Sequence, residues 1–498
     1  MKDIRLRYSG LVNFASKILS VLTGLMFTII VTRRLSEEAF GTWQFYSNLL
    51  SYFAIPSYIV NYWLVRDLRR GRQVAKSGVF FNSMMSVIFT LVFLIISPVF
   101  SSQIFIDTSV VCAFMLWIVI MYHTSSLESV FQAMKPQVIG YGTLVFEFSK
   151  VIIGALLVGY MRILLLGAVL SIDFALLIQL LYYFLNLSEY FKGSISLEDL
   201  RRWFKTSLVP LISWAPGFVK MLDILVLTFV TGSILPVAYI KAASTFAMVI
   251  GFSEALAIGL YPKLLSSGTG KDVEDSVELV LMFLIPMVLG QLILAEPMLY
   301  LLRREYGQLY DVLRAASLCY AVIVFKRIFS SVIQGIEKVD ANEDVALRNI
   351  AGSYLMKIPL IEVAGSLFYI IVLSLTVKIL NDMGSSHALI SLVSISCFLL
   401  INIATTLYYL KVSKKLIKFH FNIPRILKFL TSGIVMSIML CIFYPESAKS
   451  EQIFVVMVSL MPVILLGIVV YFAVLLTIDS KSREFLKSAL KSLRIMKD

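Results

Sequence analysis

IFVVMVSLMPVILLGIVVYFAVLLTI, residues 453–478, runs for 26 positions without a charged side chain. The hydrocarbon core of a bilayer is about 30 Å thick and is crossed by about 20 apolar residues of α-helix. This segment therefore reads as a membrane-spanning helix. Similar stretches lie near 8–31, 40–65, 77–99, 105–131, 137–159, 163–186, 207–230, 236–260, 276–295, 309–335, 350–377, 386–410 and 425–445, which makes fourteen in all. The predicted fold is an all-α polytopic membrane protein.

Composition agrees. Of 498 residues, 59% are hydrophobic and only 15% charged, with a mean hydropathy of +0.88, whereas a soluble domain carries about 25% charged residues. A soluble enzyme, a disulfide scaffold and a disordered chain are excluded. The net charge of +13 does not point to nucleic acid, because the basic residues sit between apolar segments instead of clustering on a soluble face. Cys112, Cys319, Cys397 and Cys441 all lie inside apolar stretches at long spacing, as inert buried thiols do. The basic head Lys2, Arg5, Arg7 precedes an apolar run with no small-residue cleavage pattern, which reads as a retained first span.

With both termini placed in the cytoplasm, 29 Lys and Arg fall on the inner side against 7 outside. One miscounted span would invert every later loop and erase that asymmetry, so an even count with both ends inside is expected. The longest inner connection, 187–206, starts a short helix at Ser196 with Glu198 and Asp199, and Trp203 is expected at headgroup level. Residues 479–498 repeat basic residues every three to four positions among apolar ones, the pattern of an amphipathic tail on an anionic leaflet; partner binding is the alternative.

A shift of 199 residues aligns Val31-Thr32 with Val230-Thr231 and Ala39-Phe40 with Ala238-Tyr239, at the first outer turn of two six-span blocks. The organisation read from this is an N-lobe over 1–186 (spans 1–6), a linker over 187–206, a C-lobe over 207–411 (spans 7–12), spans 13–14 over 424–478 and the tail over 479–498. Parallel repeats of this kind are a common transporter plan.

A charge at the bilayer centre costs about 2.5–3.5 kcal/mol on insertion scales, so charged groups inside spans face a cavity or a partner. Glu147 with Lys150, and Lys220 with Asp223, are three apart and can pair on one helix. Lys326 and Arg327 can partly snorkel, and Glu128 reads as interfacial. Asp173 also belongs to the acidic set. Lys17 lies near mid-depth with Asn13 one turn before it and no carboxylate within a turn, which suits an anion site; pairing with a carboxylate of another span is the alternative. Span 7 repeats the theme with Lys220 and carries Pro210 and Pro216. Span 2 adds Asn48, Pro56 and Asn61, and span 8 adds Lys241. Together these outline a cationic cavity suited to phosphate or pyrophosphate, with Asn48 and Asn61 as its polar lining. Trp43, Tyr46, Tyr52, Trp214 and Tyr239 can stack on sugar faces, although core or belt packing is the simpler explanation of any single one of them.

No P-loop, HExxH or GxSxG motif occurs, and His123, His387 and His420 have no metal spacing. The sequence does not read as an enzyme, and no metal or organic cofactor is expected.

Arg7-Tyr-Ser-Gly-Leu-Val-Asn-Phe-Ala-Ser-Lys-Ile, followed by Val31-Thr-Arg-Arg-Leu-Ser-Glu-Glu-Ala-Phe-Gly-Thr-Trp, resembles the opening of polysaccharide-biosynthesis membrane proteins. These are the Wzx-type flippases of the multidrug/oligosaccharidyl-lipid/polysaccharide exporter (MOP) superfamily. The resemblance implies alternating access between two six-helix lobes and translocation of a polyprenyl-(pyro)phosphate-linked glycan. It also implies a monomer in the plasma membrane among lipids and glycan-assembly enzymes. It assigns Lys17, Lys220 and Lys241 to the anionic headgroup. It brings in a proton or sodium gradient, with Asp223, Glu254 and Glu362 as coupling candidates. Three alternatives stay open: a small-molecule exporter of the same superfamily, a membrane glycan-transferring enzyme, and a non-transporting scaffold.

Overall fold

The computed structural model describes residues 6–101, 106–187, 191, 194–205, 207–257, 259–266, 268–337 and 352–484. Among them there are helices and no strand. The α-helices are α1 (Leu6–Arg34), α2 (Glu37–Phe53), α3 (Ile55–Arg69), α4 (Ala75–Ser101), α5 (Thr108–Met134), α6 (Gln137–Gly154), α7 (Leu164–Leu187), α8 (Leu197–Lys205), α9 (Leu208–Thr231) and α10 (Leu235–Gly251). They continue as α11 (Leu260–Ser266), α12 (Gly270–Ile293), α13 (Ala295–Leu302), α14 (Tyr310–Ile336), α15 (Tyr354–Asp382), α16 (His387–Leu416), α17 (Ile423–Ile442) and α18 (Ile453–Ile478). Twelve helices of the described residues are long and apolar enough to cross a membrane. α1 and the α2–α3 pair occupy the two remaining stretches that the sequence marks as spans.

Local chemistry sets the boundaries. Ser36 caps α2 by accepting from Ala39 N at 3.1 Å, and Glu37 and Glu38 follow in the positive first turn. Thr269 and Asp272 form a reciprocal capping box on α12. α9 stops at Gly232, whose φ of 62° suits a residue without Cβ. Span 2 is broken at Ala54, just before Pro56, because proline lacks an N–H and its ring crowds the preceding turn. The Tyr122 hydroxyl donates to Phe53 O at this break, returning a partner to a carbonyl that bilayer lipid cannot satisfy.

The helices pack as two compact units: Met1–Lys241 with Ser366–Ser385, and Ala242–Gly365 with Ser386–Asp498. In the first, α6 and α7 pack on each other and on α1 and α5, while α3 and α4 pack on α5 and α8. Its core gathers Val60, Leu64, Phe81, Phe131, Tyr183 and Trp203. The second is built on the α14–α16 pair, with α12 against α14 and α17 against α18. Its core includes Val277, Leu284, Ile328, Phe329 and Tyr409. On α4 the solvent-accessible stripe is Val87, Leu91, Ile95 and Val99, with Ile95 75% exposed. An outward face made of such residues is explained by lipid contact.

One expectation is corrected. Trp203 does not face the headgroups: α8 forms, but the indole is fully buried and donates to Asp67 Oδ2 at 2.8 Å. Glu128 accepts from Tyr183 Oη at 3.1 Å and Gln179 Nε2 at 3.2 Å between α5 and α7. Lys326 and Arg327 are each met at 2.8 Å by a carboxylate, Glu362 and Glu254 respectively, and the Arg327 side chain stays 61% exposed. In each case the partner is distant in sequence.

Candidate functional site

α9 carries the centre of the site. Lys220 and Asp223 lie one turn apart on it, and Lys220 Nζ meets Asp223 Oδ2 at 3.1 Å. The pair is asymmetric: the lysine side chain is 40% exposed, the carboxylate only 9%. Tyr369 of α15 donates a long hydrogen bond of 3.4 Å to the same Oδ2. Asp223 is thus a fixed, buried anchor, and Lys220 is the member of the pair that a ligand can reach. Lys241 of α10 lies within electrostatic range of both. Two lysines around one carboxylate leave the site with an excess of positive charge.

α2 frames this centre from the other side. Asn48 Nδ2 donates to Met221 O at 3.3 Å, and Tyr52 Oη to Phe218 O at 3.0 Å. Both carbonyls belong to the turn of α9 that bears Lys220, so α2 fixes that turn in place. Trp214, half exposed, stacks on Tyr58 of α3 at 5.0 Å between ring centroids.

The other candidates are placed elsewhere. The side chains of Asn13 and Lys17 lie outside the described residues. Asn61 is held in a network of α3, α4 and α5, donating to Ser57 Oγ at 3.0 Å and accepting from Asn82 Nδ2 at 3.1 Å. Glu254 pairs with Arg327, and Glu362 with Lys326 and with Tyr409 Oη at 3.0 Å, all in the second unit. Tyr46 is fully buried and Trp43 nearly so, in an aromatic cluster with Phe27, Phe40 and Phe114; both are core residues, not sugar platforms. Tyr239 spends its hydroxyl on Glu37 at 2.8 Å.

Sequence reading missed Tyr369, which carries no local signature of contact with a residue 146 positions away. A cavity of about 390 Å³ lies in the second unit among Val277, Phe325, Phe329, Leu410, Phe421 and Ile426. It is apolar, and the hydroxyl of Thr406 on its wall is engaged by Asn402 O at 2.6 Å, so it offers nothing to a phosphate.

No family model and no curated protein matches the sequence. Solved structures do. The lipid II flippase MurJ in its inward closed conformation is similar over 96% of this chain and 100% of its own, with a TM-score of 0.66 at 13% identity. An inward-facing multidrug resistance MATE family transporter of the MOP superfamily is similar over 80% of this chain and 95% of its own, at 0.61 and 12%. An outward-facing MATE transporter of the same superfamily covers 83% and 95%, at 0.53 and 14%. At these identities the likeness establishes the fold: this chain is a multi-pass membrane protein with the helical arrangement of MOP superfamily transporters and flippases.

Proposed function

We propose that the protein is a flippase that moves a lipid-(pyro)phosphate-linked oligosaccharide from the cytoplasmic to the outer leaflet by alternating access, in a plasma membrane with both termini cytoplasmic. The observation that carries this reading is the pairing of a reachable Lys220 with a buried Asp223, with Lys241 in range, inside membrane-spanning helices. A solvated lysine gains little from an anion, whereas one in a low-dielectric wall gains much more. In the unloaded site Lys220 pairs with Asp223 and limits the cost of burying that carboxylate. An arriving phosphate competes for the ammonium, and Lys241 then balances the second negative charge of a pyrophosphate. Lysines act here as point charges that tolerate a sliding ligand, unlike the fixed fork of arginine. The prenyl tail stays in lipid throughout, and Lys17 is assigned to the same headgroup. The fold likeness to MurJ, at a TM-score of 0.66, supports the lipid-linked class of substrate.

The test is the leaflet location of the lipid-linked glycan in cells depleted of the protein. Intact cells are probed with a glycan-specific enzyme or lectin, and again after lysis. Accumulated precursor reachable only after lysis is the expected result. Precursor still reachable from outside, with no second flippase present, would transfer the assignment to a small-molecule exporter of the same fold. K241A, and K220A made together with D223N so that no buried carboxylate loses its partner, are expected to block translocation at normal membrane abundance.

A further inference from the structure

The carboxylates nominated for ion coupling are all engaged: Asp223 by Lys220, Glu254 by Arg327 and Glu362 by Lys326. A fourth carboxylate inside a span is not. Asp173 of α7 is 0% exposed, and neither of its oxygens has a hydrogen-bond partner among the described residues. It lies nine residues into the helix, about 14 Å from its start and close to the middle of the bilayer core.

The described charges on the helices packed against α7 are engaged by other groups or lie towards the helix ends. On α5, His123 is taken by Ser83 Oγ at 2.9 Å and Val119 O at 2.7 Å, and Glu128 by Tyr183 and Gln179. On α6, Glu147 and Lys150 pair at 2.8 Å, with Thr23 Oγ1 donating to the same carboxylate at 2.5 Å. On α2, Glu37 accepts from Tyr239, while Glu38 is exposed; on α1, Arg33 and Arg34 sit in the last turn, and the side chain of Lys17 lies outside the described residues. Among the described residues none of these groups hydrogen-bonds to Asp173.

An ionised carboxylate buried without a partner costs many kcal/mol, whereas the neutral acid costs about as much as one unmade hydrogen bond. We propose that Asp173 is a proton-binding site whose occupancy decides whether α7 stays packed against α5 and α6. With its proton, the residue is compatible with the packing described here. Without it, the carboxylate requires water, and water reaches it only if α7 moves. Linkage makes the two events one equilibrium: the proton favours the closed packing and its loss favours an opened one.

The backbone beside α7 is suited to such a movement. α6 continues into a π-helical turn, Ala155–Tyr160, which packs on α7. Single π turns are register shifts that a helix can absorb or release. Two non-glycine residues follow at positive φ, Arg162 in the connection at 58° and Leu164, the first residue of α7, at 27°. Strain of this kind persists only where the surrounding packing imposes it, and it is relieved when that packing opens.

Proton binding itself does not depend on what is transported; only its coupling to translocation rests on the flippase reading. The full-length protein in lipid nanodiscs is examined by infrared difference spectroscopy between acid and alkaline pH, and by hydrogen exchange of α7 corrected for intrinsic rates. A protonated-carboxyl C=O band is expected in the wild type and lost in D173N, which mimics the neutral acid. α7 is expected to exchange faster at alkaline pH in the wild type and to lose that dependence in D173N. If D173N fails to fold, D173E serves instead: it should shift the band to the position of a glutamic acid without removing it. A band unchanged in both variants, or a wild-type residue ionised at neutral pH, overturns the site. Sodium chloride in place of choline chloride should leave the band untouched, and a sodium-dependent loss would replace the proton by a metal cation. Translocation of lipid-linked glycan is scored separately, so the failure of either reading is recognisable without the other.

Discussion

The indole Nε1 of Trp203 donates to Oδ2 of Asp67 across 2.8 Å, joining residues 136 positions apart. The same carboxylate pairs with Arg202, and Ser77 Oγ accepts from Ser196 N at 2.9 Å just before α8. A nine-residue helix is too short to be stable alone. Its persistence as α8 is explained by this buried anchor on α3 and by the edge contact of Phe204 with Phe81 of α4.

D67A should therefore release α8. It strands a buried indole N–H and removes one of the two carboxylates that Arg202 meets, Asp199 being the other, a loss of about 2–3 kcal/mol. The expected outcome is a lower melting temperature in detergent and faster tryptic cleavage at Arg201, Arg202 and Lys205. D67N keeps an acceptor for Trp203 and should fall between D67A and the wild type.

Glu147 and Lys150 are both buried, and each justifies the other. E147A or K150A leaves one charge alone and should destabilise by about 3–5 kcal/mol. The double variant E147L/K150M replaces the pair by apolar volume and should melt near the wild type, since desolvation offsets most of what a buried ion pair contributes. A double variant as unstable as the singles would mean that the pair has a further role.

At the end of α18, Asp479 accepts from Arg425 Nε and from Ser482 N, each at 3.0 Å, and meets Lys428 Nζ at 3.3 Å. Burial pushes its carboxyl upward, but the Ser482 hydrogen bonds and Arg425 outweigh it and lower the pKa to about 2. The folded state holds the proton less tightly than the unfolded chain does. Stability from this cluster is complete above about pH 4, the unfolded value, and is lost as the pH falls towards 2. Melting temperature against pH should show that loss in the wild type and less of it in D479N.

A Cβ on Gly142 of α6 would stand 2.3 Å from the ring of Tyr183, which is fully buried and bonded to Glu128. G142A should displace that ring and cost about 1–3 kcal/mol. G217A on α9 meets nothing within 4 Å and should be neutral or slightly stabilising. Differential scanning fluorimetry of the two variants distinguishes a steric effect from a general effect of replacing helical glycine.

The all-helical membrane fold was legible in residues such as 453–478, because insertion into a bilayer is decided by the summed hydropathy of about 20 consecutive residues. The break at Ala54 was legible from Pro56, and the pairs Glu147–Lys150 and Lys220–Asp223 from a spacing of three, which a helix converts directly into proximity. All of these depend on neighbours along the chain. By contrast, the burial of Trp203 on Asp67, the capture of Lys326 by Glu362 and of Arg327 by Glu254, and the contact of Tyr369 with Asp223 join residues 36 to 146 positions apart. Nothing in a local pattern specifies such partners, since helix-to-helix contacts in lipid follow from shape and hydrogen bonding between faces that many registers would satisfy. The sequence by itself determined that this chain is a bundle of membrane-spanning helices with charges inside it. Only the tertiary structure decided which of those charges are neutralised and left Asp173 without a partner among the described residues, because pairing is a property of packed faces and not of the chain.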